Sequence, residues 1–164
     1  MIARARRKLT AWREADARLP DRRRPKVLVA IDTAPVITAG KNSFLTPMIE
    51  LAGGRNPAAN VDRSYFRCSF EQIVLWKPDV ILAPGLPPER LRKLKKSPGW
   101  SDLPAVRNDC VVTDFDPDLL YRLGPRSFDG IANLRKILAG LRKRSTASKT
   151  HDFLICIPAP LTVY

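Results

Sequence analysis

A chain of 164 residues with 45% apolar content is long enough to bury a core without disulfide or metal staples. The net charge of +13 points first to an anionic partner, nucleic acid or a membrane surface, but it is unevenly placed: residues 1–26 carry +7, 89–97 carry +4 and 135–164 carry +5, leaving −3 for the rest. A solvated basic face is the plainer reading, and three cysteines (Cys68, Cys110, Cys156) without a CxxC spacing, beside a single His151, exclude zinc and haem-attachment patterns.

In chain order, Ile2, Ala5, Leu9, Trp12 and Leu19 recur at helical steps over residues 3–19, and Pro20 ends the run. The same stretch is amphipathic where a secretory signal needs an apolar run of about 7–15 residues. No export signal, lipobox cysteine or transmembrane span is read in the chain, so any export information is expected upstream. Lys26–Ile31 is a near-continuous apolar run, the pattern of a central parallel strand covered on both faces. Asp32–Asn42 has turn chemistry (Pro35, Gly40, Asn42), and Ser43 is placed to cap a helix from Phe44 to Ala52 that stops at Gly53-Gly54.

Ser69 caps a second expected helix, Phe70–Trp76, and Pro78 precedes a strand over Asp79–Ala83. Glu89–Lys96 is a short basic helix after the breaks at Pro84-Gly85 and Pro87-Pro88. Leu103–Val106 leads into a last strand over Cys110–Thr113. Phe128, Ile131, Leu134, Ile137 or Leu138, and Leu141 then mark a helix to about Arg142, started by Pro125, and Ser145–Thr150 reads as a linker before an apolar tail. Strands alternating with helices imply a parallel sheet covered on both sides, with ligands outside the carboxyl ends of the strands. The loops after Ile31 and Thr113 are therefore the natural places for a site.

Ordered motifs run along the chain, the first and last of them in those loops: Thr38-Ala39-Gly40-Lys41-Asn42-Ser43 running into Leu51-Ala52-Gly53-Gly54, the Ser69-Phe70-Glu71-Gln72 helix start followed by Lys77-Pro78-Asp79-Val80-Ile81-Leu82, and Asp116-Pro117-Asp118 followed by Gly124-Pro125-Arg126. Over residues 3–141 the combination resembles the carboxyl-terminal lobe of the substrate-binding proteins that serve bacterial ABC importers for cobalamin and iron-siderophores. The resemblance implies a three-layer α/β/α lobe with a parallel central sheet. Residues 1–25 would be part of a long inter-lobe helix with a basic connector, 26–142 the lobe itself, and 143–164 a linker and tail. It also implies a cell-envelope location, a metal chelate as ligand, and the importer's membrane subunit as partner.

By the same resemblance Asp118 and Arg122 reach the ligand, offering an acceptor and a forked donor, or else form an ion pair that pins the loop. Tyr65 stands where a stacking aromatic is usual, though a tryptophan is more common there, and simple packing is the alternative. Val36 and Ile37 would line the cleft with apolar surface. Glu71 would offer a carboxylate to an arginine pocket of the membrane subunit, or serve as a capping-box residue. Lys41 and Arg126 read as structural or solvated. No catalytic residue, resident cofactor or metal site is read, because His151 stands alone and Asp114, Asp116 and Asp118 lack a further ligand group.

The expected role is capture of cobalamin or a ferric siderophore by half of a cleft, hence weak binding. Where a second lobe would cover Ile2, Leu9, Trp12 and Leu19, either self-association through this helix or cover by Phe153–Ile157 of the tail is expected, with association favoured. The rivals are a basic nucleic-acid-binding domain, which is not favoured, and an inactive fragment of a binding protein.

Overall fold

In the computed structural model, which describes residues 7, 10–12, 14, 24–121 and 127–147, the near-continuous apolar runs form a parallel sheet. Strand β1 (Val27–Val29), with every residue buried, is followed by a hairpin of β2 (Asp32–Thr33) and β3 (Val36–Ala39). Helix α1 (Leu45–Leu51), strand β4 (Tyr65–Arg67) and helix α2 (Phe70–Trp76) come next, then β5 (Val80–Leu82). Helix α3 (Pro88–Lys96), a 3-10 turn at Trp100–Asp102 and helix α4 (Pro104–Arg107) lead to β6 (Val111–Val112), α5 (Pro117–Tyr121) and α6 (Ser127–Ala147). The parallel sheet has the order β1-β5-β6, with Val27 opposite Val80 and Ile81 opposite Val111.

Successive residues of a strand face opposite sides, so each apolar run supplies two cores at once. Val27, Val29, Val80 and Leu82 meet Leu45, Ile49, Leu120, Leu134 and Leu138 from α1, α5 and α6. Leu28, Ala30, Ile81 and Ala83 meet Ile73, Leu103 and Val106 from the α2, α3 and α4 side. Each fully buried Leu, Ile or Val contributes about 1.5–3 kcal/mol. This is the expected three-layer α/β/α architecture.

The interval 32–42 is where the structure departs from a plain turn. Pro35 sits in the turn of a hairpin, and β3 pairs antiparallel with both β2 and β4 in a second sheet of order β2-β3-β4. The expected strand over residues 26–31 ends early for the same reason: the Ile31 amide donates to the Ile37 carbonyl at 2.9 Å, carrying the chain from one sheet into the other. Proline and glycine at either end hid a four-residue strand. Leu103–Val106 likewise contributes a short helix, with Pro104 at its first position, and the last helix continues past Arg142 to Ala147, so residues 143–147 are helical rather than linker.

Ser69 caps α2 as expected, its hydroxyl accepting from the Gln72 amide at 3.3 Å while the Gln72 side chain accepts from the Ser69 amide at 3.1 Å. The helix ends at Lys77, which takes the left-handed conformation at φ 48° before Pro78. Ser69→Ala is expected to cost about 1 kcal/mol in urea unfolding. No measurable loss would mean that packing of Phe70 against Trp100 (ring centroids 5.4 Å apart) fixes the helix start without the cap.

Of the expected first helix, residues 7, 10–12 and 14 are described and helical. Trp12 packs against the core on the α6 side, with the Arg135 guanidinium 5.4 Å from its ring. Ile2, Leu9 and Leu19, together with Arg122, Pro125, Arg126 and the tail from residue 148, lie outside the described residues.

Candidate functional site

At the carboxyl ends of the parallel strands the backbone is held by the Gly85 amide donating to Thr113 at 3.1 Å and the Ala30 amide donating to Leu82 at 2.8 Å. The β2–β3 hairpin rises from the end of β1, and the β6–α5 loop from the end of β6. Both loops singled out in the sequence therefore border one end of the lobe.

In the antiparallel sheet Ile37 lies opposite Asp32 and Arg67, and Ala39 opposite Tyr65. By strand alternation Asp32, Ile37, Tyr65 and Arg67 share one face, while Val36, Thr38 and Phe66 share the other. Val36 is 7% exposed and belongs to the core with Leu28 and Cys68, so it offers no surface to a ligand. Ile37 is half-buried, and Tyr65 is 43% exposed. Phe66, on the core side, meets Trp76 edge to face with centroids 6.5 Å apart.

Tyr121, at the end of α5, lies within electrostatic reach of Tyr65. Burial pushes its phenol up to about 12, and the neighbouring Tyr65 phenol adds to the shift. Its hydroxyl is buried and has no hydrogen-bond partner among the described residues. At neutral pH it is an undissociated donor. Asp118 is exposed at the start of α5, where its amide donates to the Asp116 carboxylate at 2.9 Å, so Asp116 is the residue that begins this helix. The role expected for Arg122 falls outside the described residues.

Two residues of this end were missed in the sequence. Arg67 follows Tyr65 by two positions, and the period-2 signal in Tyr65-Phe66-Arg67 would have set both on one face had the segment been read as a strand. Tyr121 lay in the flagged Asp118–Arg122 run but had no signal of its own, since its neighbour Tyr65 is 56 positions away.

Glu71 is exposed at the second position of α2. The capping-box residue is Gln72 at the third position, which removes that explanation for Glu71. A backbone amide and the Ser69 hydroxyl hold the Glu71 carboxyl below its usual range. Cys68 and Cys110 are buried, and burial raises the Cys68 thiol to about 11, which leaves it an inert core residue. Among the described residues no group of three or more His, Cys, Asp or Glu gathers, and no helix is long and apolar enough to cross a membrane.

A groove of about 560 Å³ lies at the amino-terminal edge of the parallel sheet, lined by Arg24, Lys26, Arg55 and Leu75 among others, and a second of about 380 Å³ runs beside α4. Neither contains Ile37, Tyr65, Tyr121 or Asp118. Tyr65, Arg67 and Asp118 are exposed, so the aromatic end presents an open face.

The chain is 33% identical over 110 residues, 65% of its length, to the uncharacterized ABC transporter substrate-binding lipoprotein YvrC of Bacillus subtilis. It is 29% identical over 97 residues, 55% of its length, to the high-affinity heme uptake system protein IsdE of Staphylococcus aureus (strain Newman). Among solved structures, the periplasmic heme-binding protein RhuT from Roseiflexus sp. RS-1 superposes with a TM-score of 0.68 at 27% identity, over 85% of this chain and 54% of that one. The matches span a third of each curated relative and about half of the solved chain. The family pattern named Periplasmic binding protein covers residues 1–117, and on the strength of that match and of the shared lobe the chain belongs to the periplasmic binding protein family.

Proposed function

We propose that this chain acts as a substrate-binding component of an ABC importer in the cell envelope, and that its ligand is a flat metal chelate with acidic substituents, heme before cobalamin or a ferric siderophore. The observation that carries the reading is the open face where Tyr65, Ile37 and Arg67 share one side of the antiparallel sheet. A flat ring stacks on a rigid aromatic with little rotamer entropy to lose, while a guanidinium takes carboxylates in a forked geometry. Heme is placed first because the heme proteins IsdE and RhuT are 29% and 27% identical to this chain. By the family resemblance Asp118 and Arg122 would add an acceptor and a forked donor for the ligand, and the exposed Glu71 carboxylate would meet the membrane subunit. This is a binding role, with no catalytic group assigned.

An open face removes only one side of a ligand from water, so affinity is expected to be micromolar at best, about 8 kcal/mol. Titration of the full chain with hemin, cobalamin and a ferric hydroxamate, followed by tryptophan quenching, is expected to show hemin binding tightest. Tyr65→Ala is expected to weaken it about tenfold, equivalent to ~1.4 kcal/mol, with circular dichroism checking that the fold is kept. Tighter binding of cobalamin or the hydroxamate would overturn the choice of heme. Failure of all three to bind would overturn the chelate reading itself.

A further inference from the structure

We propose that the outer surface of the α2, α3 and α4 layer docks on an anionic lipid surface, independently of which ligand the opposite end holds. Helix α3 runs for nine residues without a fully buried side chain. Arg90, Arg92, Lys93 and Lys96 are exposed along it. Lys95 is paired with Asp109, and the exposed acids of the two helices are Glu89, in the first turn of α3, and Glu71, one turn before Val74 and Leu75 on α2, so cations still outnumber acids. The neighbouring helix α2 is held to this layer by Phe70 against Trp100, and it turns apolar side chains outward: Leu75 is 78% exposed and Val74 39%. Val74 borders the groove of about 380 Å³ whose rim carries Lys77 and Arg107 against one acid, Asp102. Leu75 borders the groove of about 560 Å³, whose lining carries Arg24, Lys26 and Arg55 against Glu50, so each exposed apolar side chain of α2 stands at the edge of a basic groove.

A solvated basic face explains the cations but not a leucine that is 78% exposed where α2 borders the groove of Arg24, Lys26 and Arg55. A lipid surface accounts for both, since Leu75 and Val74 would enter the headgroup boundary while the cations meet lipid phosphates. Charge complementarity favours an anionic bilayer. Nucleic acid fits less well, because Phe70, Trp76 and Trp100 of this layer pack into the core and leave no aromatic face outward for stacking bases.

The test is flotation of the full chain with phosphatidylcholine vesicles, with and without phosphatidylglycerol, at low and high salt. Binding is expected only with phosphatidylglycerol and is expected to weaken with salt. Each cation removed in the set Arg90→Gln, Arg92→Gln, Lys93→Gln and Lys96→Gln is expected to weaken it about fivefold, and the set together on the order of a hundredfold or more. Leu75→Ser is expected to weaken it a few-fold. These positions are exposed, so the variants are expected to melt with the parent, which circular dichroism checks. A quadruple variant that floats like the parent, a Leu75→Ser variant that does so, or binding of duplex RNA in preference to the vesicles would each overturn the proposal.

Discussion

Gly40→Ala is expected to lower stability by about 3 kcal/mol, a fall in melting temperature of roughly 6–12 °C for a chain of this length. Gly40 is buried where three stretches of backbone converge. Its amide donates to Ser64 at 2.9 Å, the next amide, of Lys41, donates to Val61 at 2.9 Å, and its carbonyl accepts from the Thr46 hydroxyl at 2.7 Å. A Cβ at this position would lie well inside contact with the Arg63 carbonyl oxygen and 2.9 Å from that of Val61. Both obstacles are backbone, so relief requires moving the 61–64 segment. That segment runs directly into Tyr65, and ligand affinity is expected to fall together with stability. A loss below about 1 kcal/mol in thermal or urea unfolding would show that the segment yields cheaply.

Asn56→Ala is expected to cost about 3 kcal/mol as well, by a different route. Asn56 is 3% exposed. Its amide group donates to the Ala39 carbonyl at 2.9 Å and to the Thr46 hydroxyl at 2.7 Å, and its side-chain oxygen accepts from the Ala58 amide at 3.0 Å. With Thr46 donating in turn to Gly40, the network ties the end of β3 to the first turn of α1. Truncation leaves a buried carbonyl and a buried amide unmatched, which is the costly half of losing a hydrogen bond. Because Gly40 and Asn56 share Thr46 as a partner, the double variant is expected to lose less than the two single losses added together. Strict additivity in a double-mutant cycle would mean that the network is not one unit.

Gly40 also shows how a residue was flagged for an incomplete reason. As a sequence feature it suggested a tight turn; in the fold it is required because two carbonyl oxygens approach where a side chain would stand. Asn56 carried no signal at all, since a lone Asn after Gly53-Gly54-Arg55 is ordinary turn composition, and its three partners are 2, 10 and 17 residues away.

What the chain determined by itself is the three-layer frame. The apolar runs at residues 27–29 and 80–82, the Ser69 cap and the stripe through Ile131, Leu134 and Leu138 are local patterns, and each needs only its own periodicity to declare a strand, a cap or a buried helix face. The order of the motifs carried the family for the same reason. Only the tertiary structure decided which residues make the ligand end. Turn residues hid β3, so Val36 and Ile37 looked equivalent until pairing with Arg67 and Asp32 set one inward and the other outward. Tyr121 joins Tyr65 across 56 residues of chain, and Arg67 faces the same side only once β4 has a partner. Local periodicity specifies an element from within, whereas the face an edge strand presents and the phenol that comes to lie beside it depend on register and packing between segments far apart in the chain.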